Sequence, residues 1–549
     1  MQLLSLLAIG GLAASAVAKS SRGAALARKG IQPQKPRYTP RPVSAHIRRD
    51  EKTIIPQTDK TAKYVVNGTA GAIPEVNFDI GESYAGLVPI SDKANETSEL
   101  YFWFFPSKNE EASDEITIWL NGGPGCSSLE GFLQENGPIS WQYGTAHPVY
   151  NPWNWATLTN MVWVEQPVGT GFSKGNSSAT SEEEIAEEFA GFWKNFIQTF
   201  GLENRKVYIA GESYAGKYVP YIADAMLNKE DPEFYDVKGI LIYDPSVAED
   251  VLLEDIPAVP FLDYWANLFN LNASYTADLH ERADKCGYTD YMNKYLTFPP
   301  VSKLPTPNST AKTPGCGVWE DIIDAVMLTN PCFDVYQVAT TCPLLWDVLG
   351  FPGSFGYLPE GEMVYFNRTD VQKAINAPIQ EWEECSDGVL DTDTSAQSSW
   401  EVIPRLIDTL DRTVIVHGDL DFILLANGTL LAIQNMTFGG MQGFQSPPTE
   451  EFFVPYHESY SDGSLAASGI MGVAHTERKL SWVYQSLSGH MVPQYQPSSG
   501  YRQLEFLLGR IDSLSSTVPF TTKPGSNGGN GTYASISSGR STSDLKMWL

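Results

Sequence analysis

The 549-residue sequence predicts an α/β protein with a central, mostly parallel sheet, helices on both of its faces and an inserted cap region. Three observations carry that prediction. Short apolar runs recur at 116–120, 161–165, 207–211, 239–243 and 413–417, as expected of strands buried on both faces. Between two of them, 182–200 sets Ile185, Phe189, Phe192, Trp193, Phe196 and Ile197 at three- and four-residue spacing with glutamates opposite, which predicts an amphipathic helix. Strand, helix, strand order then selects a parallel sheet over a meander. The stretch from about 250 to 360 breaks the rhythm and holds four of the six cysteines, so it reads as a cap inserted into the same unit.

The two ends read differently. Residues 1–18 are uncharged and Leu-rich and finish in Ala16-Val17-Ala18, the small-x-small cleavage pattern of a secretory signal peptide. Residues 19–49 carry nine basic residues and no acidic one and end in Arg48-Arg49, which predicts a pro-segment. At the far end, 512–549 is rich in Ser, Thr and Gly and poor in apolar residues, so it reads as a disordered tail. The folded body is expected over 50–511.

Composition excludes several classes. With 42% hydrophobic and 19% charged residues the chain is neither disordered nor fibrous. The net charge of −28 becomes −37 once the nine basic charges of the pro-segment are set aside, which repels nucleic acid. No stretch after the signal approaches a membrane span, so no membrane association is expected after its removal. No HExxH, HxxE, phosphate-loop or dinucleotide-binding pattern is present, and neither a metal nor a cofactor is expected.

Six cysteines in a secreted chain can all pair, in fifteen ways. Their spacing favours Cys126–Cys385, with Cys286–Cys342 nested around Cys316–Cys332. Sequons at Asn67, Asn95, Asn176, Asn272, Asn308, Asn367 and Asn435 predict glycosylation. A further sequon at Asn427 lies too near Asp421 to be reached, and another stands at Asn530.

Chemistry is carried by four short segments. In Gly211-Glu-Ser213-Tyr-Ala-Gly216 a strand runs into a sharp turn that holds a serine between small residues and then into a helix, the arrangement that exposes a nucleophile. A serine needs a base held in one tautomer by a carboxylate. Asp421 lies just past the strand at 413–417, and His490 lies on the loop Ser488-Gly489-His490, so the order Ser213, Asp421, His490 suits the strand-turn-helix serine hydrolases. Alone, Asp421 would read as a turn-capping residue and His490 as a surface histidine. Asn121-Gly122-Gly123-Pro124-Gly125 follows a strand and can turn backbone N–H groups toward a developing oxyanion; the expected donors are the amides of Gly123 and Tyr214.

Together the segment 121–128, the turn 211–216, Asp421-Phe422 and Gly489-His490-Met491-Val492-Pro493 resemble the serine carboxypeptidase family, of the carboxypeptidase Y type and most like the fungal carboxypeptidase S1 group, over roughly 60–510. The resemblance implies an α/β-hydrolase fold and a catalytic domain that removes C-terminal amino acids from peptides and proteins. It implies a triad of Ser213, Asp421 and His490, and a substrate carboxylate held by Asn121, Gly122, Glu135 and Glu212. Two adjacent carboxyls cannot both ionise cheaply, so one keeps a proton and donates it to the substrate carboxylate, which predicts an acidic working range. Where members often carry Cys shortly after the triad Asp, this chain reads Asp421-Phe-Ile-Leu-Leu425. An acyltransferase or esterase on the same triad is the alternative. The expected location is extracellular, with the vacuole as the other destination, and the S1-type likeness hints at acceptance of basic side chains.

Overall fold

Apolar residues on alternate positions of each strand commit both faces of the sheet to burial. On β3 (Glu99–Phe105), Phe102 and Phe104 enter one core while Tyr101, Trp103 and Phe105 enter the other. The same split recurs on β4 (Glu115–Leu120), where Ile116, Ile118 and Leu120 oppose Trp119. The computed structural model describes residues 53–350, 357–457 and 467–522. The signal peptide, the basic segment up to residue 49, Asn530 and the chain beyond 522 lie outside the described residues.

The remaining strands of the large sheet are β1 (Val65–Val66), β2 (Ser83–Pro89), β5 (Met161–Glu165), β6 (Lys206–Glu212), β7 (Asp236–Tyr243), β8 (Arg412–Gly418), β9 (Glu450–Val454), β10 (Gly469–Glu477) and β11 (Leu480–Gln485). Their spatial order is β1-β2-β3-β5-β4-β6-β7-β8-β11-β10-β9. From β5 to β11 the neighbours are parallel, and both flanks are antiparallel. All five predicted strands are therefore present, in a doubly covered α/β-hydrolase sheet.

The predicted helix is α1 (Glu182–Phe200). Ser181 caps it by accepting from the Glu184 amide, three glutamates occupy its first turn, and Gly201 ends it at φ +65°. Its aromatic face packs on β3, with Phe196 5.1 Å from Phe102 and 5.4 Å from Phe104 between ring centroids. Truncating Phe196 would cost about 3–5 kcal/mol. Beside α1 lies α2 (Ala215–Asn228), which starts directly after the β6 turn.

Between β7 and β8 the chain makes its long excursion. Helices α3 (Asp255–Tyr264), α4 (Ala273–Cys286), α5 (Tyr288–Tyr295) and α6 (Val318–Met327) build the cap. Its apolar residues form one cluster with Ile415 of β8 and Trp482 of β11, so the cap shares the core of the sheet, as expected of an insertion. From Tyr365 on, the chain rejoins the body, with Tyr365, Phe366 and Trp382 in the sheet's own core.

Two sequence expectations need correction. Cys126–Cys385 forms as expected, but the other pairs are Cys286–Cys316 and Cys332–Cys342, in place of nested Cys286–Cys342 and Cys316–Cys332. The ten-residue α6, about 15 Å long, lies between Cys316 and Cys332, and each of these pairs with a cysteine on its own side of the helix. The pairs that form have Cα atoms 5.8 and 5.2 Å apart. The boundary at 511 is also too early. Leu514 and Phe520 are buried, and Arg502 donates to the carbonyls of Ser516 and Val518, so 512–522 belongs to the packed body.

Candidate active site

Neighbouring strands deliver the predicted residues side by side, at the carboxyl ends where open parallel sheets place their ligands. Asn121 follows β4, Glu212 and Ser213 close β6, Asp421 follows β8, and His490 follows β11.

Ser213 sits at φ +62°, a left-handed conformation that a serine adopts only under constraint from its surroundings. The constraint is visible. Its N–H donates to the Tyr243 carbonyl at 2.9 Å, while its own carbonyl accepts from Gly216 at 2.8 Å and from Ser246 at 2.9 Å. Gly122 packs on this turn so closely that a Cβ there would lie 2.5 Å from the Tyr214 nitrogen. That contact sets the predicted oxyanion loop beside the amide of Tyr214. The loop is held from its other side by Cys126–Cys385 and by hydrogen bonds from Ser127 N to the Glu384 carbonyl (2.7 Å) and from Ser386 N to the Gly125 carbonyl (2.8 Å).

His490 Nδ1 lies 2.9 Å from Asp421 Oδ2, with both side chains buried. Asp421 Oδ1 accepts from the Ile423 amide at 2.9 Å, so the carboxylate is fixed at both oxygens. The Nε2 of His490 has no hydrogen-bond partner and is the nitrogen left for proton exchange. One loop clamps both residues. Phe422 N donates to the Val335 carbonyl, Val338 N to the Leu420 carbonyl, and His490 N to the Tyr336 carbonyl, at 2.8, 3.1 and 2.8 Å. The Tyr336 ring rests 5.1 Å from the imidazole. Gly489 is required there, since a Cβ would lie 2.0 Å from the Tyr336 carbonyl oxygen. Cys332–Cys342 closes this loop at its base.

Asn121 binds the acids together. Its Nδ2 reaches Glu212 Oε1 at 2.9 Å, Glu130 Oε2 at 3.2 Å and Glu135 Oε1 at 3.4 Å, while its Oδ1 accepts from Trp119 Nε1 at 2.7 Å. Burial raises the carboxyls of Glu135 and Glu212 well above the usual range, and Glu135 raises Glu212 further by repulsion. The two carboxyls are close enough to act on one another, and a proton retained on one of them relieves their repulsion. The Oε2 atoms of both are buried without an N–H or hydroxyl partner. Glu130 is likewise pushed up to about 8, by burial and then by Asp347.

The structure thus pairs Asp421 with His490 and gathers Asn121, Glu135 and Glu212, with Gly122 packed on the Ser213 turn, while no hydrogen bond joins Ser213 to His490 Nε2. Sequence reading missed four others: Glu130, Tyr336, and the buried pair Asp244 and His417. Asp244 is the first residue after the run 239–243, and its place at a parallel strand's carboxyl end was the signal available. Nothing local in the sequence marks Tyr336.

Comparison with known proteins identifies the family. Residues 74–509 match the family described as serine carboxypeptidase. The "Probable serine carboxypeptidase" of Arthroderma benhamiae is 59% identical over 469 residues, covering 83% of this chain and 88% of that one. The "Serine-type carboxypeptidase F" of Aspergillus niger is 47% identical over 475 residues, with 83% and 88% covered. Among solved structures, a prohormone-processing carboxypeptidase of Saccharomyces cerevisiae superimposes with a TM-score of 0.62 at 22% identity, covering 84% of this chain and 99% of its own, which bears on the fold alone. With its α/β-hydrolase sheet and a family match that spans most of its length, the chain belongs to the serine carboxypeptidase family.

Proposed function

We propose that this serine carboxypeptidase releases C-terminal amino acids from peptides and proteins on the acid side of neutrality, through an acyl-enzyme on Ser213. The observation that carries the reading is the buried, Asn121-bridged pair Glu135 and Glu212, joined in sequence to the constrained Ser213. Ser213 Oγ attacks the scissile carbonyl and gives its proton to His490 Nε2, and Asp421 stabilises the imidazolium through Nδ1. The amides of Gly123 and Tyr214 hold the oxyanion. His490 then protonates the departing amine, and water, activated by the same base, cleaves the acyl-enzyme.

Specificity for a chain end comes from Asn121, the Gly122 backbone, Glu135 and Glu212. A carboxyl that still holds its proton donates to the substrate carboxylate. Because burial and repulsion raise this pair, the proton is kept in mild acid and lost as pH rises, after which two like charges repel the substrate. Glu130, Asp347 and Glu384 repel one another beside this pair, and a basic substrate side chain would meet these acids.

Removal of a signal peptide and pro-segment and delivery outside the cell, or to the vacuole, complete the reading. The exposed sequons Asn67, Asn95, Asn176, Asn272 and Asn308 support it. Asn435 is half-buried. Asn367 is half-buried too, with Oδ1 and Nδ2 both bonded to the Trp382 backbone, which counts against a glycan there. Asn427 is buried. Among the described residues no helix is long and apolar enough to cross a membrane.

The test compares a blocked dipeptide with a free C-terminus and its C-terminal amide at about pH 5, with a sulfonyl fluoride to label the nucleophile. The free acid is expected to be cleaved at least tenfold faster, and label is expected on Ser213 alone. Equal rates with labelled Ser213 would indicate an esterase or acyltransferase, and absence of label would remove the nucleophile assignment.

A further inference from the structure

Behind the Asp421–His490 pair lies a second buried aspartate. Asp244 follows β7, the strand between those that carry Ser213 and Asp421. It is fully buried and held at φ +42°, where a non-glycine residue is strained. Its N–H donates to the Val416 carbonyl at 2.7 Å. Its Oδ1 accepts from the Gly418 amide at 2.8 Å and lies 3.1 Å from His417 Nδ1. Its Oδ2 is buried and receives no N–H or hydroxyl donor.

The carboxyl of Asp244, the carboxyl of Asp421 and the His490 ring each place an atom within 4.8 Å of the others. Two aspartates this close and this buried cannot both be ionised without a cation between them. Among the described residues no lysine or arginine pairs with either; the partners of Asp244 and Asp421 are the histidines His417 and His490. His490 Nδ1 already lies 2.9 Å from Asp421 Oδ2, so a proton on that nitrogen is committed to Asp421. His417 sits in complete burial, which lowers its affinity for a second proton, and its Nε2 is taken by Thr429 Oγ1 at 2.8 Å. The other titratable groups that act on Asp244 are Asp419, Glu212 and Tyr243, none of them a cation.

We propose that Asp244 is a positioning residue for the triad, a neutral carboxylic acid that donates its O–H to Asp421. Asp421 then has donors on every side: the backbone amide of Ile423, His490 Nδ1 and Asp244. The hydrogen bond fixes the carboxylate against the imidazole and withdraws negative charge from it. A full second charge at Asp244 would stabilise the imidazolium and leave the base protonated in mild acid, where the enzyme must work. Kept neutral, Asp244 sets no second negative charge beside the imidazole. Burial, followed by repulsion from Asp421, raises the Asp244 carboxyl well above its usual range, in the same direction.

This inference rests on Asp421 and His490 being the triad acid and base, and the experiment separates the two claims. The full mature protein is assayed as wild type, Asp244→Asn, Asp244→Ala and His490→Ala, with kcat/KM measured across pH on an ester lacking a free carboxylate, so that Glu135 and Glu212 do not enter. Undiminished activity in His490→Ala would remove the triad assignment whatever Asp244 does. Asp244→Asn retains a neutral N–H donor, so kcat/KM is expected to fall about three- to tenfold with the acid limb unmoved. Asp244→Ala removes the donor, and the acid limb is expected to move up by about one pH unit with kcat down ten- to a hundredfold. A downward shift of the limb by a unit or more in Asp244→Asn would mean that Asp244 is ionised, beside an imidazolium His417, and would overturn the proposal. So would an unmoved limb in a folded Asp244→Ala. Should Asp244→Ala not fold, Asp244→Asn still decides, because neutral and ionised Asp244 give different limbs.

Discussion

Two pairs of buried carboxyls meet near the carboxyl ends of the parallel strands, Glu135 reaching there from the helical turn 131–135, and their surroundings differ. Glu135 and Glu212 share one donor, the Asn121 amide, and each keeps an oxygen without a partner. Asp421 and Asp244 are ringed by backbone amides from Ile423 and Gly418 and by the histidines His490 and His417. The same physics acts on both, since two carboxyls in a dry site hold a proton between them. The outcome depends on what else each can bind. In the first pair both Oε2 atoms lack a donor, which leaves room for a ligand that brings a carboxylate; in the second Asp421 has both oxygens engaged and Asp244 Oδ2 alone lacks a donor, beside the imidazole of His490.

The comparison breaks most sharply at the ligand-facing pair. In Glu212→Gln the repulsion that makes the pair retain its proton is gone, and KM for a free-acid dipeptide at about pH 5 is expected to rise ten- to a hundredfold, with an ester substrate changed less than about threefold. The fall in peptide affinity above neutrality should also flatten, because the glutamine cannot ionise. Steady-state kinetics on both substrates at two pH values checks this, and equal losses on both would place Glu212 elsewhere in the mechanism.

The triad-facing pair depends on the loop 333–338, which holds Leu420, Phe422 and His490 by backbone hydrogen bonds. Replacing Cys332 and Cys342 together by serine opens that loop. A loss on the order of 2–3 kcal/mol in unfolding free energy is expected, with kcat reduced more than KM is raised. Unaltered kcat in the double variant would show that packing of Tyr336 suffices without the bridge.

The smallest expected effect is a global one. Beyond the two pairs, burial pushes Glu130 and Glu182 up to about 8 and Glu165 and Asp419 up to about 7. A carboxyl raised in the folded state binds more protons folded than unfolded, so its contribution falls as pH climbs from the unfolded value, about 4.3, toward the folded one. Stability is therefore expected to decline between about pH 5 and 8, by roughly 5 °C in Tm by scanning calorimetry. A higher Tm at pH 8 would mean that cations outweigh these acids.

The five strands and α1 were legible because their patterns are local: alternation against two cores on β3 and β4, and a 3.6-residue stripe on α1. The segments that carry Ser213, Asp421 and His490 stood out for a related reason, since the glycines at 122 and 489 answer to close contacts with the turn at Tyr214 and with the Tyr336 carbonyl. The remaining misreadings have one cause. Residues 512–522 looked like a tail because Leu514 and Phe520 are sparse among polar neighbours, yet each finds a place in the core. The nested cysteine pairing took no account of α6, which lies between Cys316 and Cys332.

By itself the sequence determined the sheet, the serine carboxypeptidase motifs and the chemistry they carry, because strand periodicity, strand-turn-helix geometry and loop glycines are set by neighbours along the chain. Only the tertiary structure decided which cysteines meet, that Tyr336 holds the histidine loop, and that Asp244 stands against Asp421. Those contacts join residues tens to hundreds of positions apart: the adjacency of β7 and β8 in the sheet sets Asp244 near Asp421, and the packing of the cap and its loops sets the cysteine pairs and Tyr336, with no trace in any single segment.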